Sequence, residues 1–217
     1  MLLHDELTAT AEKVRAALPP PVFNAIERSV ADLRDTGIAQ GATGVGARPA
    51  LPTLNDADGY PFDLAAQAAK GPLVLVFYRG GWCPYCDVTL RALQAALREV
   101  RELSAQLVAV TPEQPERIEE TVGRAGVAFP VLHDSGNAFA QSLGLVFSLP
   151  ESLRPQYAAL GIDLPVFNGD ATFSLPVPAT YVLDRDGAVA YAFVDADFKR
   201  RAEPAAILAA LRSLPRQ

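Results

Sequence analysis

Only two cysteines, two histidines, one tryptophan and one methionine occur in this 217-residue chain, and each scarcity closes off a class of protein. A secreted domain stapled by disulfides needs several cysteine pairs, and two thiols in so long a chain do not make such a framework. A structural zinc site needs about four ligands, and His4 and His133, far apart in sequence, are the only imidazoles to join Cys83 and Cys86. Positive charge is also scarce. Nineteen Lys and Arg face 25 Asp and Glu for a net charge of −6, with no basic stripe among the aromatics. Neither nucleic acid nor an anionic membrane is therefore an expected partner. No apolar run approaches the length that spans a bilayer. The opening Met1-Leu2-Leu3-His4-Asp5-Glu6 lacks a cationic segment followed by an apolar one, so no leader and a cytoplasmic setting are the expectation. Half the residues are apolar, enough for a large core without cross-links.

The thiols are placed where chemistry is expected. Trp82-Cys83-Pro84-Tyr85-Cys86 follows the unbroken apolar run Leu73–Tyr78, which reads as a strand buried on both faces. Pro84 suits the first turn of a helix, where its missing N–H is no loss. Leu90, Leu93, Leu97, Val100 and Leu103 then continue the helix at three- and four-residue steps. A thiol at a helix start meets unpaired N–H groups and the positive end of the dipole, which favour the thiolate. Positions three apart there are neighbours, close enough for a disulfide to open and close. A purely structural bridge over so short a loop would gain little. Two ordinary core cysteines would not need Gly80, Gly81 and Pro84 around them, which shape a turn.

Around this junction the pattern repeats. Leu107–Val110 and Phe129–Leu132 read as strands, and Asp63–Ala69, Glu116–Arg124 and Ala138–Leu143 as helices, the signature of parallel βαβ units. Thr180–Leu183, the turn Asp184–Gly187 and Ala188–Val194 read as an antiparallel hairpin before a last helix with Ile207, Leu208, Leu211 and Leu214 inward. Asn55–Gly59 reads as a hairpin turn. The expected fold is α/β and thioredoxin-like: a mixed central sheet flanked by helices. Residues 1–40 form an N-terminal helical arm, with helices through Leu3–Leu18 and Val22–Leu33, and residues 41–217 the domain, after a Gly- and Pro-rich linker. The arm offers either a homodimer surface or a cover for its own domain. The proline-rich stretch 145–178 is expected to wall the thiol site and shape access, as long insertions between core strands often do.

Phe77-Tyr78-Arg79-Gly80-Gly81-Trp82-Cys83-Pro84-Tyr85-Cys86, Phe129–Asp134 and Pro178–Asp184 together resemble the peroxiredoxin-like branch of the alkyl hydroperoxide reductase and thiol-specific antioxidant family, over roughly residues 45–215. The resemblance implies a thiol peroxidase without cofactor or metal. It would reduce hydrogen peroxide or organic hydroperoxides and be recycled by a thioredoxin-like or low-molecular-weight thiol reductant. Against the motif Phe-Tyr-Pro-x-x-Phe-Thr-x-x-Cys, Cys86 takes the peroxidatic position and Cys83 that of the threonine. Arg79 stands where the proline belongs, and Pro178 where the arginine before the late strand belongs. Arg79 is the candidate to replace that positive charge. Matched instead to the thioredoxin Trp-Cys-x-x-Cys pattern, Cys83 is the exposed attacking sulfur, Trp82 flanks it, and Pro178 takes the place of the cis-proline that faces the dithiol. That alternative implies a dithiol–disulfide oxidoreductase acting on protein or small-molecule disulfides. The candidate site residues are Cys83 and Cys86 as catalytic, with Arg79, Trp82 and Pro178 orienting or binding substrate.

Overall fold

The computed structural model describes residues 2–215. Its elements are α1 (Leu3–Ala17), α2 (Pro20–Asp35), α3 (Ile38–Gly41), β1 (Thr53–Asp56), β2 (Pro61–Asp63), α4 (Leu64–Lys70), β3 (Leu73–Phe77) and α5 (Pro84–Glu102). They continue as β4 (Gln106–Thr111), α6 (Pro115–Ala125), β5 (Val131–His133), α7 (Ala138–Ser142), β6 (Val146–Ser148), α8 (Arg154–Ala159) and α9 (Leu164–Asn168). β7 (Ser174–Pro176), β8 (Ala179–Leu183), β9 (Val189–Val194) and α10 (Pro204–Ser213) complete the chain.

One mixed sheet runs β2-β1-β5-β4-β3-β8-β9. β3, β4 and β5 are parallel, while β8 lies antiparallel to β3, with Phe77 opposite Ala179 and Leu75 opposite Tyr181. β3 is buried throughout: Val74 and Val76 join the core beneath α1, α5 and α10, and Leu73, Leu75 and Phe77 the core beneath α4 and α7. A strand covered on both faces needs no polar alternation, which is why Leu73–Phe77 has none. Asp63 caps α4, its carboxylate accepting the Ala66 N–H at 2.9 Å. Asp134 accepts the N–H groups of Phe139 and Ala140 at 2.8 Å, so its role is to tie down α7.

α1 packs against α5. Leu3 and Leu7 are buried in the same cluster as Leu90 and Leu93 of α5. The Glu203 carboxylate, at the start of α10, accepts the N–H groups of Leu3 (3.1 Å) and His4 (2.7 Å), satisfying donors that a helix start leaves free. The stretch read as a linker contains the short helix α3. It then runs along the sheet: Gly46 donates to the Val189 carbonyl at 2.8 Å, and Val189 donates to that of Ala47 at 2.9 Å. The strand expected at Phe129–Leu132 starts two residues later and ends at His133, because Pro130 has no N–H for the ladder and Phe129 packs into the core instead. Within 145–178 the sequence pattern does not reveal α9 or the two-stranded sheet β6–β7. Among the described residues no helix is long and apolar enough to cross a membrane.

Candidate active site

β3 delivers Tyr78, Arg79, Gly80 and Gly81 to the carboxyl end of the sheet, where chain direction must reverse into α5. Gly80 has φ of +152°, and a Cβ there would meet Trp82 Nε1 at 2.3 Å and Glu113 Oε1 at 2.9 Å; only glycine fits. Gly81 is held from both sides. Its N–H donates to Glu113 Oε2 at 2.9 Å, and its carbonyl accepts from Arg124 Nη2 at 2.7 Å. Cys83 is the N-cap of α5, and Pro84 follows in the first turn. The Cys83 N–H donates to the Gly80 carbonyl at 3.1 Å.

Both thiols are free and fully buried. Cys83 is therefore not the exposed sulfur expected from the thioredoxin pattern; the arm and the 145–178 segment cover this end of the sheet. Arg79 is buried too, and its Nη2 lies 3.1 Å from Cys83 Sγ. The guanidinium sits 3.8 Å over the Phe198 ring and 5.0 Å over that of Trp82. Such stacking holds a buried cation in place while leaving its N–H groups in plane for the sulfur. Arg201 Nη2 stands 3.7 Å from Cys86 Sγ.

The two sulfurs differ in acidity. Burial alone would push the Cys83 thiol up, but a hydrogen bond from Cys86 and the charges of Arg79 and Arg201 outweigh it and hold Cys83 well below an ordinary thiol. Burial, the hydrogen bond given to Cys83 and the charge of that sulfur push Cys86 well up. Burial opposes the Arg79 charge, yet the Cys83 thiolate keeps that guanidinium protonated. Close by, burial lifts the Glu113 carboxyl to about 7, against the Gly81 hydrogen bond, and its Oε1 has no partner.

Of the residues singled out from sequence, Cys83, Cys86, Arg79 and Trp82 come together. Pro178 is buried, but no peptide bond among the described residues is cis, and Pro178 is absent from the lining of the cavities beside Arg79. The cis-proline geometry is not formed. Arg201, Phe198, Tyr157 and Glu113 were missed. The run Lys199-Arg200-Arg201 in an acidic chain was one signal. Glu113, just past the carboxyl end of the central strand β4, was another, since ligands of open α/β sheets gather there. The 145–178 segment does wall the site: Tyr157 meets Trp82 edge-on at 5.8 Å.

A family model described as the AhpC/TSA family matches residues 46–192, more than half of the chain. Peroxiredoxin Q of Triticum aestivum, described as chloroplastic, is 25% identical over 158 residues, covering 73% of this chain and 62% of that protein. Thiol-disulfide oxidoreductase ResA of Halalkalibacterium halodurans is 27% identical over 93 residues, 42% of this chain and 52% of that one. The chain thus spans between half and two thirds of the length of these curated relatives. Among solved structures, peroxidoxin BcpB of Mycobacterium tuberculosis superposes with a TM-score of 0.63 at 20% identity, covering 80% of this chain and 99% of that one. Peroxiredoxin Q of Xanthomonas campestris gives 0.58 at 21%, with 77% and 98% covered. These likenesses establish the thioredoxin-like fold of peroxiredoxins.

Proposed function

The chain belongs to the AhpC/TSA family, and on that premise we propose that it is a thiol peroxidase cycling through a Cys83–Cys86 disulfide. The observation that carries the reading is the 3.1 Å contact between Arg79 Nη2 and Cys83 Sγ inside a water-poor site. The guanidinium favours the Cys83 thiolate over the thiol, and it is the thiolate that attacks. Arg79 thereby takes the role of the arginine that the family motif places where this chain has Pro178.

In the first step the Cys83 thiolate attacks one oxygen of the O–O bond. An S–O bond forms, the O–O bond breaks, and the departing alkoxide or hydroxide takes the proton of Cys86, giving an alcohol or water and a Cys83 sulfenic acid. Cys86, now a thiolate steadied by Arg201, attacks the sulfenic sulfur. The S–S bond forms, and hydroxide leaves and takes a proton from solvent. A thioredoxin-like or low-molecular-weight dithiol then reduces the bridge by exchange, itself becoming a disulfide. The opposite acidities of the two sulfurs favour Cys83 as attacking and Cys86 as resolving, the reverse of the assignment from the gapless motif match.

The test is single-turnover loss of thiols on mixing reduced protein with stoichiometric hydrogen peroxide, alongside Cys83→Ser and Cys86→Ser. Rapid formation of the internal disulfide, with a sulfenic acid trapped only in Cys86→Ser, is the expected result. Oxidation no faster than that of a free thiol overturns it. The likeness to ResA and the Cys-x-x-Cys spacing then favour disulfide exchange with protein or small-molecule disulfides, read out as reduction of a model disulfide.

A further inference from the structure

Residues 195–203, between β9 and α10, form a strap that reaches the surroundings of both sulfurs. Phe198 supplies the ring beneath Arg79, at 3.8 Å, and Tyr85 meets that ring edge-on at 5.5 Å. Arg201 stands beside Cys86. Bonds within the strap set its shape. Asp195 accepts the Asp197 N–H at 2.9 Å and pairs with Arg200 at 2.8 Å, and Asp197 accepts the Lys199 N–H at 3.0 Å. Three polar ties then join it to the arm. Lys199 Nζ donates to Glu27 Oε1 of α2 at 2.8 Å, Asp197 lies 3.8 Å from Arg34 of α2, and Glu203 holds the first N–H groups of α1.

We propose that Glu27 is a positioning residue for the thiol site: by holding Lys199 it seats the neighbouring Phe198 ring under Arg79, and so keeps the guanidinium at Cys83. Phe198 directly precedes Lys199, whose Nζ lies 5.3 Å over the same ring, so a displaced Lys199 moves the ring with it. Stacking on an aromatic face retains a buried guanidinium, and this one needs it, because its Nε has no acceptor. Glu27 and the strap both lie outside residues 46–192 that match the family, so this support comes from parts of the chain that the family model does not cover. The inference deepens the peroxidase reading, in which Cys83 attacks, yet thiol ionisation is read without any oxidant.

The sign of the effect separates positioning from a direct field. Removing the negative charge of Glu27 acts directly in favour of the Cys83 thiolate, whereas removing the tie to Lys199 loosens Arg79 and acts against it. The titratable and charged groups that act on Cys83 are Cys86, Arg79, Arg201, Glu113 and Tyr85; of these only Cys86 is altered, and identically in every protein compared. Ionisation is followed by thiolate absorbance against pH in the Cys86→Ser background, with Glu27→Gln, Phe198→Leu and the two combined. A partly exposed ion pair shifts an equilibrium by up to about fivefold, so Glu27→Gln should raise the Cys83 pKa by about 0.5 unit. Phe198→Leu should raise it more, and Glu27→Gln should add nothing beside it, because the route is already cut. A lowered or unchanged Cys83 value in Glu27→Gln overturns the proposal, as does a rise that persists undiminished in the Phe198→Leu background. Lys199→Gln breaks the same tie from the other side and replaces Glu27→Gln if that variant does not fold; the comparison with Phe198→Leu then decides. Mixing the reduced protein with hydrogen peroxide tests the peroxidase reading separately: oxidation no faster than that of a free thiol removes that reading, while a raised titration that depends on Phe198 leaves the role of Glu27 in place.

Discussion

Replacing Arg79 by glutamine removes the charge nearest to Cys83 and keeps a side chain of similar reach. At 3.1 Å, two unit charges attract by about 5 kcal/mol at an effective dielectric of ~20. Arg201 and the start of α5 remain in the variant, and water can enter the vacated volume, so only part of that energy is lost. A loss of about 3–4 kcal/mol corresponds to a rise of about 2–3 pKa units in the Cys83 thiol. The sign follows from the charge: a cation favours the thiolate, and its removal favours the thiol. Ionisation is read from the ultraviolet thiolate band against pH in the Cys86→Ser background, with Cys83→Ser as blank. The second-order rate with peroxide should fall wherever the raised Cys83 value leaves less thiolate than in the parent, so its pH profile should shift to higher pH. Arg79→Lys keeps a charge but loses the planar stack on Phe198 and Trp82, and should fall between the two. A Cys83 titration in Arg79→Gln within about half a pKa unit of the parent, in protein with native circular dichroism, would refute the assignment of Arg79 as the thiolate's counter-charge.

Glu113 should govern how stability depends on pH. Its folded value of about 7 lies above the ordinary 4.5, so the stabilisation it gives is complete below the lower value and is lost as pH rises through the upper one, by about 3 kcal/mol in all. Glu113→Gln should flatten that decline in urea unfolding of the reduced protein between mildly acidic and mildly alkaline pH; a variant whose curve runs parallel to the parent's disproves it. Gly81→Ala would put a Cβ 1.9 Å from Thr121 Oγ1 and 2.7 Å from Arg124 Nη2, forcing α6 away from the thiol turn. Overpacking of that kind costs about 1–3 kcal/mol, so Tm should drop and thiol oxidation slow together; an unchanged Tm would contradict so close an approach of α6 to the turn. Leu7→Ala removes a side chain only 4% exposed between α1 and α5 and should cost about 2–4 kcal/mol, with limited proteolysis cutting the arm first. A cut rate equal to the parent's would mean the arm is held elsewhere.

How much of this was legible depended on whether the interaction was local. β3 was readable because its burial on both faces removes every polar residue from Leu73–Phe77, and α4 because Asp63 marks its start. The junction from Gly80 to Pro84 carries its turn chemistry in consecutive residues. The elements that escaped are those fixed from a distance. β6 pairs Val146 with Pro176 and Ser148 with Ser174, three-residue strands whose pattern is too short to stand out among prolines. Arg201 reaches Cys86 across 115 positions, and Glu113 reaches Gly81 across 32. Arg79 was readable as a charge near the thiols, but not as a buried one. Its burial depends on Phe198, Trp82 and Tyr157 being brought together by three separate parts of the chain.

The placement of Arg79 also explains how a dithiol spaced like a thioredoxin's can sit in a peroxiredoxin-like domain. In the family motif the cation comes from the start of a late strand, and here that position is Pro178, which has no charge and no N–H. Moving the cation to Arg79 puts it four residues before Cys83 on the same continuous turn, so sulfur and guanidinium are positioned by one backbone segment. With Cys83 rather than a threonine ahead of Cys86, that nearest cation falls on the first sulfur at 3.1 Å, while the second has only Arg201 at 3.7 Å. Burial acts on both thiols in the same direction. The asymmetry between them therefore comes from the cations and from the single hydrogen bond that Cys86 gives to Cys83. Together they make Cys83 the more acidic of the two sulfurs.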